Sequence, residues 1–416
     1  MFIEPKKDKS KGADIPLTVY YLLLVTIGWF TLFSSSHIPS AEVDLLNISN
    51  VYTRQLLFIG TSIIIAIMIL LLDSRIFINY SYHIYLGCLA LMILVLFIGT
   101  EISGAHAWIK IGSFSIQPTE FAKFGTALAL AKFLNEGKTR AERQNIWIQA
   151  SLFIFIPVVV IMLQKDTGSA LVFFSFIILF YREGLTGWIL LIGVLAAALF
   201  IFTLYFNEIY ALALLTATFI VFWFINKKDK KKLIRNAVVY VLSIAFVFAV
   251  NLAYNNVLQS HQKMRIDTLL GKVADPQGAD FNLNQSKIAI GSGGFFGKGY
   301  LHGTQTKLNF VPEQSTDFIF CGIGEEWGFF GSLVICGLFC ALVLRILFIS
   351  ERQRNPYVRC YGYGVASVIF MHFFINIGMT IGILPIIGIP LPFISYGGSS
   401  LWAFTTMLFV FVKMSD

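Results

Sequence analysis

The sequence predicts an all-α polytopic membrane protein of about twelve transmembrane helices with one long extracytoplasmic loop. Three observations predict it. Of 416 residues, 57% are hydrophobic and only 13% are charged, where a soluble domain carries roughly 25% charged residues, and the mean hydropathy is +0.76. Several runs exceed the roughly 20 apolar residues needed to cross a bilayer. Lys and Arg collect in a few connections between those runs, the bias that turns a loop toward the cytoplasm.

Taken in chain order, apolar spans are expected near residues 17–34, 56–72, 82–99, 119–134, 147–163, 168–181, 186–206, 208–225, 236–254, 317–344, 361–384 and 393–412. Residues 1–16 form an amino-terminal tail whose "EPKKDKSKGADIP" lacks a small-residue cleavage site. It therefore introduces a first anchor and not a removable signal peptide. The basic connections are that tail, "EGKTRAER" at 136–143, "NKKDKKKLIRN" at 226–236 and "RILFISERQRNPYVR" at 345–359. An even number of spans puts all four on the cytoplasmic side, with both termini, including the short tail 413–416. The opposite side receives "SSSHIPSAEVDLLNISN", the loop from Glu101 to Pro118, the "QKDTGS" link and the long segment 255–316. A stretch of that length without structure is unusual, so short amphipathic pieces lying at the membrane surface are expected there.

The net charge of +8 follows from this topology. With no separate basic domain, nucleic-acid binding has no support. The five cysteines (Cys88, Cys321, Cys336, Cys340, Cys360) lie in or beside apolar spans without a CxxC pair. They read as thiols on helix surfaces, not as a disulfide framework or metal site.

Ionisable residues in a membrane bundle are expensive and mark function. In "SIQPTEFAKFG", Glu120 and Lys123 are three apart and share a helical face, as an ion pair at a helix start or as part of a site. Asp166 in "QKDTGS" is a helix N-cap or a functional acid. Asp317 opens "DFIFCGIGEEWGFFG", and a cap could account for it. Glu325, about 12 Å deeper by helical rise, and its neighbour Glu326 need another reason, a cation such as Arg265, Lys287 or Lys298. Asn376 in "FINIGMTIG" suits helix–helix hydrogen bonding. The "GSGGFFGKG" string lacks the Gly-Lys-Ser/Thr ending of a nucleotide loop. With Lys287, Lys298 and Lys307 it forms either a series of surface turns or a cradle for a lipid-linked pyrophosphate. An enzyme on a lipid-linked substrate, a lipid transporter and an ion-coupled transporter all fit these residues.

Four blocks, "GAHAWIKIGSFSIQPTEFAK", "QKDTGSA", "DPQGADFNLNQSKIAIGSGGFFGKGYLHGTQTKLNFVPEQSTDFIFCGIGEEWGFFG" and "INIGMTIGILPIIGIPLPFISYGGSS", resemble in wording and order the SEDS family (shape, elongation, division, sporulation). "GKGYLHGTQTKLNF" favours its elongation branch. The resemblance implies a peptidoglycan glycosyltransferase in the bacterial cytoplasmic membrane. Such an enzyme polymerises lipid II at the outer face during cell elongation and releases undecaprenyl diphosphate. It works with a class B penicillin-binding protein that crosslinks the growing glycan strand, among other membrane proteins of the elongation complex. The family's essential aspartate matches Asp317, its Glu and Lys after "QP" match Glu120 and Lys123, its loop aspartate matches Asp166, and an arginine before "DP.G" matches Arg265.

On that resemblance, a sugar 4-hydroxyl attacks the anomeric carbon bearing the diphosphate of another lipid-linked chain. Asp317 takes the proton, directly or by holding a divalent cation. Lys123 and Arg265 neutralise the diphosphate, Glu120 orients Lys123, and Lys298 supports the site. Mg²⁺ or Mn²⁺ fits the family, without a diagnostic ligand motif. Two positions depart from the family, Ala107 and Ser115, where relatives carry arginine, and Lys110 is the nearby cation. The family has ten spans, so the pair at about 208–254 is additional. Glu325 and Glu326 read as packing partners behind the site, deeper in the bundle. A flippase for the lipid-linked precursor needs a similar outward cavity, whereas a pure scaffold leaves Asp317 without a role.

Overall fold

The computed structural model describes residues 14–36, 47–102, 104–112, 114–136, 146–206, 208–257, 263–264, 266–267, 272, 279–308 and 310–416. Its contacts divide the chain into two compact units, residues 1–184 with 282–416, and residues 185–281.

The first unit begins with α1 (Ile15–Ser36), α2 (Val51–Leu71), the short α3 (Ser74–Asn79) and α4 (Ser81–Ile98). Then come α5 (Pro118–Asn135), α6 (Ile146–Leu163) and the short pair α7 (Thr167–Phe173) and α8 (Phe176–Arg182). The helix bounds follow local chemistry. Pro118 starts α5 at a position where its missing N–H is harmless, with Glu120 in the first turn and Lys132 in the last, matching the helix dipole. The Asp14 carboxylate accepts the Leu17 amide at the start of α1 and also receives Arg345 Nη2 at 2.7 Å.

The second unit holds α9 (Gly187–Phe206), α10 (Glu208–Asn226), α11 (Lys230–Leu252) and a π-helical turn, Ala253–Val257. The pair expected as additional is thus α10 and α11, packed on each other and on α9. Asp229 caps α11 by accepting the Lys231 and Lys232 amides, and Phe219 stacks on Tyr240 at 4.5 Å. Most large apolar side chains of these helices point outward, as helices facing hydrocarbon require.

Four helices complete the fold: α12 (Ala279–Ser292), α13 (Ile319–Arg352), α14 (Pro356–Thr380) and α15 (Gly398–Ser415). In the first unit α14 is central. It packs on α13, α5, α8 and α15, while α5 also meets α4, α6 and α15. The carboxylate of Glu183, just past α8, receives Arg359 of α14 through two bonds of 3.0 Å. All five cysteines are unpaired thiols on these helices and on α4, with Cys321 and Cys360 buried.

The helical class holds, and two findings add detail to it. The loop from Glu101 to Pro118 carries a small antiparallel sheet. Its strands are β1 (Thr100–Ile102), β2 (Ala105–Ile111) and β3 (Phe114–Ile116). Residues of "AHAWIKI" alternate between the two faces of β2, and Gly112 at φ +62° turns the chain toward β3. Second, nine helices among the described residues are long and apolar enough to cross a membrane. Of the other three expected spans, α5 carries Glu120, Lys123 and Lys132. The segment Thr167–Arg182 is short, and the last one starts as helix only at Gly398, after an irregular strap over residues 381–397. Of the long segment 255–316, α12 and the turns that follow it lie within the described residues.

Helix α13 breaks at Gly328, whose φ of 64° and ψ of −157° are open essentially to glycine alone. The glycine-rich turn after α12 closes the break. Amides of Lys298 and Gly299 donate to the carbonyls of Glu325 and Glu326 at 3.0 Å, and those of Phe329 and Phe330 donate to Gly294 and Phe295. A Cβ on Gly328 would collide with the Gly297 amide. Gly328→Ala is therefore expected to lose roughly 1–3 kcal/mol through backbone strain alone. Thermal unfolding in detergent checks this, and an unchanged midpoint would show that the break relaxes freely.

Candidate active site

The centre of the first unit holds a buried ionic group. Glu120 and Lys123 lie one turn apart on α5, with Lys123 Nζ 2.7 Å from Glu120 Oε1 and 2.7 Å from His372 Nε2 of α14. An ammonium only donates, so Nε2 carries the lone pair and Nδ1 carries the proton. That proton points at the Pro390 carbonyl, 3.1 Å away. The Phe404 ring completes the enclosure, its centroid 5.2 Å from Nζ and its plane edge-on to His372. Lys123 is 0% exposed, His372 1% and Glu120 3%.

The resemblance implies a ligand of the diphosphate at Lys123, whereas here Glu120, His372 and Phe404 surround its ammonium. Glu120 Oε2 has no hydrogen-bond partner among the described residues.

Asp166 is the N-cap of α7, accepting the Ser169 amide at 3.0 Å and its hydroxyl at 2.7 Å. It also accepts Gln117 Nε2 at 2.8 Å, which ties it to the residue before α5.

Asp317 lies partly exposed in the turn before α13 and is not its N-cap, a position held by Phe318. Its surroundings are built from the strap. Asn376 Nδ2 donates to the Asp317 carbonyl at 2.8 Å and to the Ile389 carbonyl at 2.7 Å. Ser395 Oγ donates to the Thr316 carbonyl at 2.6 Å, and the Tyr396 amide to that of Ser315 at 2.9 Å. Gly388, at φ +79°, faces the carboxylate so closely that an added Cβ would sit 3.3 Å from Asp317 Oδ2.

Lys110 is exposed on β2. It stands directly opposite Ser115 in the β2–β3 register, so the two side chains share a face of the hairpin. The Ser115 carbonyl accepts Ser399 Oγ at 3.0 Å, and Ser399 Oγ accepts the Gln117 amide at 3.1 Å. The hairpin is thereby fastened to the starts of α5 and α15. Ala107 is fully buried. Arg265 lies outside the described residues.

Glu325 binds a different partner set from Asp317. Its Oε1 accepts Lys298 Nζ at 2.7 Å and the amides of Thr304 and Gln305 at 2.7 and 2.9 Å. Its Oε2 accepts the Thr306 amide and hydroxyl at 3.0 and 2.8 Å. Lys298 is the cation that Glu325 required, and the pair secures the 298–306 loop. Glu326 is buried against the Ser34 hydroxyl of α1. In the same loop, burial raises the Tyr300 phenol pKa, assisted by the Glu326 charge. Glu325→Ala strips acceptors from several enclosed donors at about 1–3 kcal/mol each. A total loss of about 3 kcal/mol is expected, read as a lower unfolding midpoint with faster hydrogen exchange over 298–306. Unaltered exchange there would contradict the anchoring role.

Two residues of this region carry little signal in the sequence. His372 stands alone in an apolar run, and only its place four residues before Asn376, on the same helical face, signals a role. Arg54, in the first turn of α2, donates Nη2 to the Ser49 carbonyl at 3.0 Å, and its charge acts on Tyr396. The next residue, Gln55, accepts the Gly397 amide at 3.3 Å, which places this turn of α2 at the end of the strap. The signal of Arg54 was a lone arginine at the start of an apolar run.

Among the described residues, no three His, Cys, Asp or Glu side chains gather where they could hold a metal ion. A single carboxylate such as Asp317 suits Mg²⁺ that keeps waters and substrate phosphate as its other ligands.

Nine candidate spans with ionisable residues enclosed between the helices define a polytopic membrane protein with an internal charged site. The chain belongs to the cell cycle protein family of FtsW, RodA and SpoVE, whose profile matches residues 15–229 and 211–416. It is similar to the peptidoglycan glycosyltransferase MrdB of Escherichia coli K12, 33% identical over 344 residues, covering 82% of this chain and 80% of the relative. The peptidoglycan glycosyltransferase RodA of Treponema pallidum is 31% identical over 425 residues, with 97% and 96% of the two chains covered. A chain from a solved peptidoglycan synthase complex, studied for its coordination of polymerization and crosslinking, has a TM-score of 0.72. It is 25% identical, with 97% of this chain and 98% of that one covered.

Proposed function

We propose that this chain is a peptidoglycan glycosyltransferase that polymerises lipid II into glycan strands and releases undecaprenyl diphosphate. The observation that carries the reading is Asp317. Its carboxylate stands partly exposed beside Gly388, on a turn whose carbonyls are anchored by Asn376, Ser395 and Tyr396. It belongs to a chain aligned over 97% of its length with a peptidoglycan glycosyltransferase.

The Asp317 carboxylate takes the proton of the attacking sugar hydroxyl as oxygen bonds to the anomeric carbon. The bond from that carbon to the diphosphate breaks, and the electron pair leaves with the diphosphate, which needs charge neutralisation more than a proton. Lys110 and Arg54 are the cations assigned to this task, with Arg265 added on the family resemblance. Lys123, Glu120 and Asp166 hold the interior on which the strap rests. A Mg²⁺ or Mn²⁺ ion, where bound, would be held by Asp317 and would neutralise charge on the diphosphate.

The reading includes twelve spans, a family core of ten plus α10 and α11, in the bacterial cytoplasmic membrane. Both termini face the cytoplasm, and Asp317 faces outward. The basic connections support this orientation. The partner is a class B penicillin-binding protein that crosslinks the product, a pairing supported by likeness to a chain of a synthase complex.

The test supplies lipid II to the purified chain with its transpeptidase partner in liposomes. Glycan strands are the expected product. Transbilayer movement of labelled lipid without strands would replace the reading by a flippase, and neither result would leave a scaffold.

A further inference from the structure

His372 touches Lys123 on one side and the strap on the other. Its Nε2 accepts the buried ammonium, and its Nδ1 proton is given to the Pro390 carbonyl. One helical turn further along α14, Asn376 takes the preceding carbonyl, that of Ile389, and with the same amide the Asp317 carbonyl. Two polar side chains at i and i+4 therefore clasp two consecutive carbonyls of an otherwise irregular segment. Within that segment the Leu391 amide donates to Ser395 Oγ at 2.8 Å, and Ser395 Oγ donates to the Thr316 carbonyl. Gly388, two residues before Pro390, forms the wall beside the Asp317 carboxylate. Burying a polar ring among Phe404, Lys123 and a carbonyl is costly unless both nitrogens are satisfied, and both are.

We propose that His372 is a positioning residue, which transmits the fixed location of the Lys123–Glu120 pair to the 387–391 strap and so sets the wall and turn that aim Asp317. The proposal rests on the glycosyltransferase reading for its effect on turnover, and on the structure alone for its effect on the strap. His372 acts through Pro390 and its neighbours and touches no reacting atom. Misplacement of an aligned group by a fraction of an ångström lowers the chemical step more than substrate binding.

Two variants separate this role from packing. His372→Gln keeps one acceptor for Lys123 and one donor for Pro390, whereas His372→Leu keeps the volume and neither bond. In liposomes with lipid II and the transpeptidase partner, His372→Leu is expected to lower kcat by about tenfold or more. KM should stay within about twofold, and His372→Gln should remain within about threefold of the parent kcat. In the purified full-length chain without substrate, hydrogen exchange at Leu391, Ser395 and Tyr396 should accelerate about tenfold in His372→Leu and little in His372→Gln. Should His372→Leu not fold, His372→Asn, too short to reach both partners, takes its place with the same expectation. Equal kcat in the leucine and glutamine variants, or unchanged strap exchange, overturns the proposal. If the parent chain makes no strands, the glycosyltransferase reading fails, and the exchange measurement alone decides the positioning role.

Discussion

Asp317→Asn abolishes strand synthesis, with turnover falling by about 10²–10⁴-fold, the usual contribution of a general base. The amide has nearly the volume of the carboxylate, so the Gly388 wall accommodates it. More important, the contacts that hold this turn run to backbone carbonyls. Asn376, Ser395 and the Tyr396 amide bind the carbonyls of Asp317, Thr316 and Ser315. None of these depends on the ionised side chain, so these anchors of the turn should persist in the variant. The measurement is strand length and rate from labelled lipid II, together with the unfolding midpoint of the variant. A rate within about tenfold of the parent would remove Asp317 from the base role. Loss of folding together with activity would instead show that the turn needs the charge of this carboxylate to form.

How much of this was legible in sequence depends on the range of each interaction. Glu120 with Lys123, and Asp166 as a cap, are relations within a single helical turn, and spacing rules expose them. The demand of Glu325 for a cation was also legible, because an acid inside an apolar helix requires one. Its partner, Lys298, lies 27 residues away and was one name among several. His372 meets Lys123 across 249 residues, and in "FMHFFIN" only the i, i+4 relation to Asn376 separates a histidine with two partners from one filling space. Exposure was the least legible property. The family resemblance implies a cation offered to substrate at Lys123, near the start of a span, yet α14 and α15 close over it. The β2–β3 hairpin escaped for the opposite reason. Its alternation is short, and a hydropathy reading passes over a few residues between two spans.

The second large effect falls on stability. Lys123→Met leaves the Glu120 carboxylate, 3% exposed, without its cation, and removes the hydrogen bond that His372 accepts. Breaking a buried pair by deleting one member is destabilising by about 3–5 kcal/mol, because a buried charge remains uncompensated. Few hydrogen bonds are at hand to soften it, since Glu120 Oε2 already lacks a partner among the described residues. The double variant Glu120→Gln with Lys123→Met removes both charges and should recover most of the loss, as buried pairs replaced together by neutral groups are often close to neutral in stability. Denaturant or thermal unfolding in detergent micelles reads both. This separates a support role from a ligand role for Lys123. A lysine presented to the diphosphate would leave stability intact when removed and raise KM for lipid II, whereas a lysine holding the interior lowers stability first. Recovery of folding in the double variant without recovery of turnover would then mean that the charge pair also positions the strap, since Met supplies no proton for His372 to accept.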